Sequence, residues 1–200
     1  MAAGSELTSL IERSAAGDRA AFDELYARFG DYVYGLCARL LPADQDAEDT
    51  AVEVWQTVWL KLGGLREPAA FSGWLRQTVV RACQHRTRRR RWWRWFGELE
   101  PEREDGAANG VAVEDQLRAD GRDEPAAALE AAVDRAALAR GLAALSVDHR
   151  TVLVLHHMEG LALTEISELL AVPAGTLKSR LARARRRLAD ELAGVEESER

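Results

Sequence analysis

The sequence contains no apolar run near the roughly 18 to 20 residues that a bilayer-spanning helix needs, and its start, "MAAGSELTSLIERS", lacks a basic-then-apolar leader. The expectation is a cytoplasmic protein without membrane insertion. Only two cysteines occur, Cys37 and Cys83, each inside an apolar helical pattern rather than a CxxC arrangement, so both read as buried thiols. β-branched residues are sparse and no run shows period-two alternation, while Ala, Leu, Arg and Glu dominate. That balance implies an all-α fold. Catalytic groupings are missing as well. There is no glycine-rich phosphate loop, and His156 and His157 are adjacent, so they point about 100° apart on a helix and cannot share a metal in the i, i+4 manner. No enzyme activity, cofactor or metal is expected.

What the chain does have is segregated charge. The net charge is −6. From Arg76 to Arg94, however, eight arginines occur with no acid, and Thr176 to Leu188 holds six basic residues, again with no acid. Both stretches look like phosphate-facing surfaces. Between them, Gly97 to Glu130 carries eleven acids against three arginines, with several glycines and prolines and few large apolar residues. Such a segment buries too little surface to offset ordering its backbone and reads as a flexible acidic linker.

The pattern before the linker is that of a helical bundle. Asp18 is placed to cap a helix in which Phe22, Leu25, Tyr26, Phe29, Val33, Leu36, Cys37 and Leu40 recur at helical spacing. Asp44 is placed to cap a second helix, whose apolar stripe of Val52, Trp55, Trp59 and Leu62 leaves Glu48, Asp49, Glu53 and Gln56 on other faces. Gly63 and Gly64 end it. A third helix is expected from Ser72 through the arginine run. After the linker, four more helices are expected, with Ser146 and Thr164 as caps and the last one following Pro173. The predicted division is 1–96 for the first helical domain, 97–128 for the linker, 129–194 for the second domain and 195–200 for a tail.

"LTEISELLAVPAGTLKSRLARARRRL" contains two short amphipathic helices joined by a tight "AVPAG" connection, the layout of a helix-turn-helix. At about 100° per residue, Leu177, Leu181, Ala184 and Leu188 fall on one narrow stripe and Ser179, Arg183 and Arg186 point away from it. The outward side chains are free to enter a major groove. Arg183 suits bidentate pairing with guanine, Lys178, Arg180 and Arg186 suit phosphates, and Thr176 and Ser179 suit either. A solvated face is the plain alternative.

The two halves together resemble the extracytoplasmic-function (ECF) sigma factors of bacterial RNA polymerase. The pieces that carry the resemblance are "GDRAAFDELYARF", "AEDTAVEVWQTVWLKL" and "FSGWLRQTVVRACQHRTRRRR" in the first half, and "EGLALTEIS", "VPAGTLKSRL" and the arginine tail in the second. The resemblance implies a sigma factor that binds core RNA polymerase and reads minus-ten and minus-thirty-five promoter elements under an anti-sigma factor. It implies polymerase docking by Glu48, Asp49, Glu53 and Gln56. It places Trp74, Arg76, Arg81, His85, Arg86, Arg88 and Arg89 at the minus-ten element, where a base is unstacked and the single strand is held. Thr176, Lys178, Ser179, Arg180, Arg183 and Arg186 fall at the minus-thirty-five duplex.

This chain departs from the family pattern at named positions. Val52 stands where glutamine is usual, Arg81 and His85 where asparagine and an acid are usual, Ser167 in place of alanine, and Ala171 in place of the turn glycine. Trp92, Trp93, Trp95 and Phe96 exceed what the pattern requires. They suit closing the domain core, stacking on bases or polymerase, or a surface under an inhibitor. Two other function classes remain: a lone helix-turn-helix regulator, and a redox-sensing interaction protein built on an exposed Cys83 in a basic setting.

Overall fold

The computed structural model of the 200-residue chain describes residues 2–95 and 137–198, with side chains for 5–90 and 137–193. The expected linker at 97–128, the side chains of Trp92, Trp93, Trp95, Phe96 and the 195–200 tail, and the start of the second helical region lie outside the described residues. The chain divides into two compact units, Met1–Cys37 with Gln45–Phe96, and Ala38–Asp44 with Gly97–Arg200. Among the described residues every regular element is helical.

The first unit is built from α1 (Ala2–Ala15), α2 (Arg19–Leu40), α3 (Asp44–Lys61) and α4 (Phe71–Trp95), with 3-10 turns at Leu62–Gly64 and Pro68–Ala70. Gly17, at φ +91°, breaks the chain between α1 and α2 in a conformation that costs an L-residue. Asp18 caps α2 as expected: its Oδ1 accepts the Ala21 N–H at 3.1 Å, and its Oδ2 accepts from Arg13 at 2.6 Å. These contacts, the backbone N–H first, hold the Asp18 carboxyl below its ordinary pKa. Asp44 lies inside α3 as its first residue rather than before it, and α4 starts at Phe71 on the Pro68–Ala70 turn, one residue earlier than expected.

Leu10 and Ile11 of α1, Leu25, Val33 and Leu36 of α2, Val54 and Val58 of α3, and Leu75, Val79 and Val80 of α4 form the core. Cys37 and Cys83 are both buried, and the contact between the two thiols, together with burial, pushes the Cys83 pKa well up. Neither thiol has the exposure that a redox sensor requires.

The second unit contains α5 (described over 137–143), α6 (Val147–Leu153) running into a π-turn at Val154–Met158, α7 (Leu163–Leu170) and α8 (Ala174–Ser198). Ser146 occupies the N-cap position of α6, although its hydroxyl contacts His149 Nδ1 at 3.0 Å instead of a backbone N–H. The expected Thr164 cap is displaced to Ala162, whose N–H donates to Glu165 Oε2 at 2.7 Å. Arg150 is buried to 3 % exposure, where its guanidinium donates to the carbonyls of Ala143, at the end of α5, and Leu145, just beyond it. Burial drops its pKa to about 10, so the side chain remains a cation at neutral pH.

Candidate nucleic-acid and polymerase interfaces

The turn between α7 and α8 sets the geometry of the second unit's outer face. Ala171 is left-handed, at φ 53° and ψ 43°, where the Cβ costs roughly 1 kcal/mol relative to glycine. Ser167 braces this turn. Its carbonyl accepts N–H groups from Ala171 and Val172, and its hydroxyl donates to the Val172 carbonyl at 2.7 Å. The two departures from the family pattern in this motif therefore sit together, one straining the turn and the other closing it.

From that turn α8 emerges with Leu177, Leu181 and Ala184 buried and Leu188 half-buried, as the spacing requires. Burying each leucine is worth roughly 1.5–3 kcal/mol and fixes the rotation of the helix. Thr176, Lys178, Ser179, Arg183 and Arg186 are exposed. Ser179 donates its hydroxyl back to the Thr176 carbonyl at 2.8 Å. Arg180 is half-buried and pairs with Asp148 of α6 at 3.0 Å, and Arg185 donates to His157 Nε2 at 2.8 Å. The His157 ring lies 4.9 Å from that of His156, whose Nδ1 contacts the Leu161 carbonyl. Burial and the neighbouring cation lower the His157 pKa. Among the described residues no group of three or more His, Cys, Asp or Glu side chains is arranged to hold a metal.

α4 sorts the arginines of the first unit onto two sides. Arg81, His85, Arg88 and Arg89 are exposed, and their spacing places them on the same side of the helix as the half-buried Trp74, whose ring packs 6.2 Å from Phe71. Arg76 and Arg86 fall on the other side by helical rotation. Arg86 departs from the sequence expectation of a phosphate contact. Only 13 % exposed, its guanidinium donates from Nε to Asp46 at 2.9 Å, from Nη2 to Asp49 at 2.6 Å and from Nη1 to Glu53 at 3.3 Å. These carboxylates more than offset the desolvation of Arg86 and raise its pKa. Arg90, one turn on, shares Asp46.

The four expected polymerase-facing residues split accordingly. Asp49 and Glu53 turn toward α4, whereas Glu48 and Gln56 border a groove of about 960 Å³ between α2 and α3. The groove is floored by aromatic contacts, with Phe22 4.8 Å from Trp59 and Tyr26 4.9 Å from Trp55. Here the expected inner stripe of α3 is corrected. Val52 and Trp59 are exposed at 59 % and 44 %, and the helix is buried instead along Ala47, Thr50, Ala51, Val54, Trp55, Val58. Asp46 and the groove residues Tyr26, Trp59 and Leu60 carry no site role in the sequence pattern, and Arg90 reads there as one more phosphate-facing arginine. Helical spacing puts Asp46, Asp49 and Glu53 on one face of α3 and Arg86 and Arg90 on one face of α4, but nothing local pairs the two faces.

Two family models match the chain, Sigma-70 region 2 over residues 25–93 and Sigma-70 region 4 over 135–188. The ECF RNA polymerase sigma factor SigM of Mycobacterium tuberculosis is 33% identical over 90% of this chain and 81% of its own length. The chain is an ECF sigma factor. SigW of Bacillus subtilis is 28% identical, covering 91% of this chain and 94% of its own. The fold agrees with that of the sigma factor RpoE solved in complex with the anti-sigma factor NepR from Bartonella quintana, with TM-score 0.59, 20% identity and coverage of 86% and 96%. CnrH in complex with the cytosolic domain of CnrY gives TM-score 0.52 at 22% identity, with coverage of 94% and 97%. This ECF sigma factor binds core RNA polymerase and directs it to promoters, and its family consists of transcription regulators. No helix among the described residues is long and apolar enough to cross a membrane.

Proposed function

We propose that this sigma factor divides its promoter work between two exposed basic faces and docks on polymerase through a third surface. Trp74, Arg81, His85, Arg88 and Arg89 on α4 engage the opened minus-ten element, with the arginines on the single-stranded backbone. Thr176, Lys178, Ser179, Arg183 and Arg186 on α8 engage the minus-thirty-five duplex. Arg183 reads a base edge there, and Arg186 neutralises phosphate. The α2–α3 groove and the bordering Glu48 and Gln56 receive the clamp helices of the polymerase's largest subunit. The observation that carries the reading is the division of α8 into a buried Leu177, Leu181 and Ala184 stripe and an exposed polar and basic face.

The working division is 1–96 for docking and minus-ten, 97–128 for the connector and 129–194 for minus-thirty-five. The protein acts in the cytoplasm as a regulator without enzyme activity of its own. An anti-sigma factor is its inhibitor, covering the exposed apolar and basic faces in the free state. Purified protein added to bacterial core RNA polymerase with a library of genomic fragments gives transcripts whose starts share two spaced upstream elements. Folded, inhibitor-free protein that stimulates no starts would refute the reading in favour of a lone helix-turn-helix regulator.

A further inference from the structure

Asp49 and Glu53 stand beside the face assigned above to polymerase, yet each already holds a guanidinium from α4. Arg86 uses its Nε, Nη1 and Nη2 on three carboxylates belonging to three different residues of α3. The inner end of this cluster is closed, with Arg86 and Asp46 side chains 13 % and 12 % exposed. The outer end is open, with Asp49 at 55 % and Glu53 at 46 %. Arg86 contacts one oxygen of Asp49 and one of Glu53. A carboxylate has lone pairs for further donors, so both groups can accept a second cation from outside. With Arg90 also on Asp46, the three carboxylates of the cluster and their two guanidiniums leave about one net negative charge.

We propose that Arg86 attenuates polymerase docking rather than contacting DNA. It holds the Asp49 and Glu53 carboxylates at the rim of α3 and reduces the negative charge they offer to a basic polymerase surface. The role rests on the docking reading above. Because the outer pairs are solvent-exposed, the screening is modest, and its removal is read as a small gain in affinity accompanied by a loss of fold stability.

The test titrates dye-labelled full-length protein with bacterial core RNA polymerase across a range of salt, alongside thermal unfolding. Arg86→Gln is expected to lower Tm yet bind core about threefold tighter at low salt, with the advantage vanishing at high salt. Arg86→Lys keeps a charge for Asp46 but cannot fork across three carboxylates, so it binds about twofold tighter. Should Arg86→Gln fail to fold, the lysine variant decides alone. Affinity that falls together with Tm would mean a purely structural clasp and would overturn the proposal. So would an unchanged core affinity combined with weakened promoter binding by the assembled holoenzyme, the mark of a DNA contact. Glu48→Lys, outside the clasp, separates the two readings. Unchanged core affinity there refutes the docking face and the role of Arg86 with it. A loss there without a gain in the Arg86 variants refutes the role of Arg86 alone.

Discussion

α4 and α8 are two basic helices of equal length, 25 residues each, and in sequence their arginines look alike. Their surroundings differ. α4 packs against a helix whose facing edge carries Asp46, Asp49 and Glu53, so Arg86 and Arg90 on that side are tied into carboxylates, while Arg81, Arg88 and Arg89 remain exposed. Among its described residues α8 turns an apolar stripe inward, and the arginines on its flanks meet partners, Arg180 on Asp148 and Arg185 on His157. A run of arginines can therefore offer free positive charge to phosphates only on the side that its own fold leaves uncompensated.

The largest effect that would sharpen this contrast comes from removing the carboxylate at the centre of the α4 clasp. Asp46→Ala leaves two guanidiniums without their shared, nearly buried partner and is expected to cost about 2–4 kcal/mol in urea unfolding. A loss below about 0.5 kcal/mol would place the pair among ordinary surface bridges. On α8 the exposed arginines are expected to divide by role. Arg183→Ala relaxes base preference within the minus-thirty-five element by about 1–3 kcal/mol, whereas Arg186→Ala weakens all promoters alike and lowers the salt slope by about one. Equal losses on every sequence from Arg183→Ala would remove that residue as a base reader.

A smaller change acts at the turn. Ala171→Gly relieves the left-handed alanine and stabilises the protein by about 1 kcal/mol by thermal or urea unfolding. Destabilisation would mean that the extra freedom of glycine in the unfolded chain outweighs the strain. The smallest effect concerns His157. Its folded pKa lies below the ordinary 6.5, so the unfolded chain binds more protons in the window just under that value. Stability therefore declines shallowly as pH falls through the window and levels off above it. His157→Gln flattens the dependence, and an unaltered profile would assign it to other groups.

Periodicity made much of this molecule legible before any coordinates. The helices and the α8 stripe follow from spacings of three and four, while the strained position at Ala171 follows from the family resemblance, whose pattern has glycine there. α3 defeated the same method for a physical reason. An apolar residue on a helix can face the core or stand exposed on the surface, and spacing alone does not separate the two, so the stripe that predicts Val52 and Trp59 inward fails where both are exposed. The Arg86 clasp was hidden because its partners lie 33, 37 and 40 residues away in the chain. Contacts at that separation are set by how α3 and α4 pack, which no local pattern encodes.

The central claim is that the inward and outward arginines of α4 do different work. The direct measurement is the salt dependence of promoter binding by preassembled holoenzyme carrying Arg88→Gln or Arg86→Gln. The account predicts that Arg88→Gln lowers the slope of log affinity against log salt by about one, while Arg86→Gln leaves the slope unchanged. A slope reduced equally by both would contradict it.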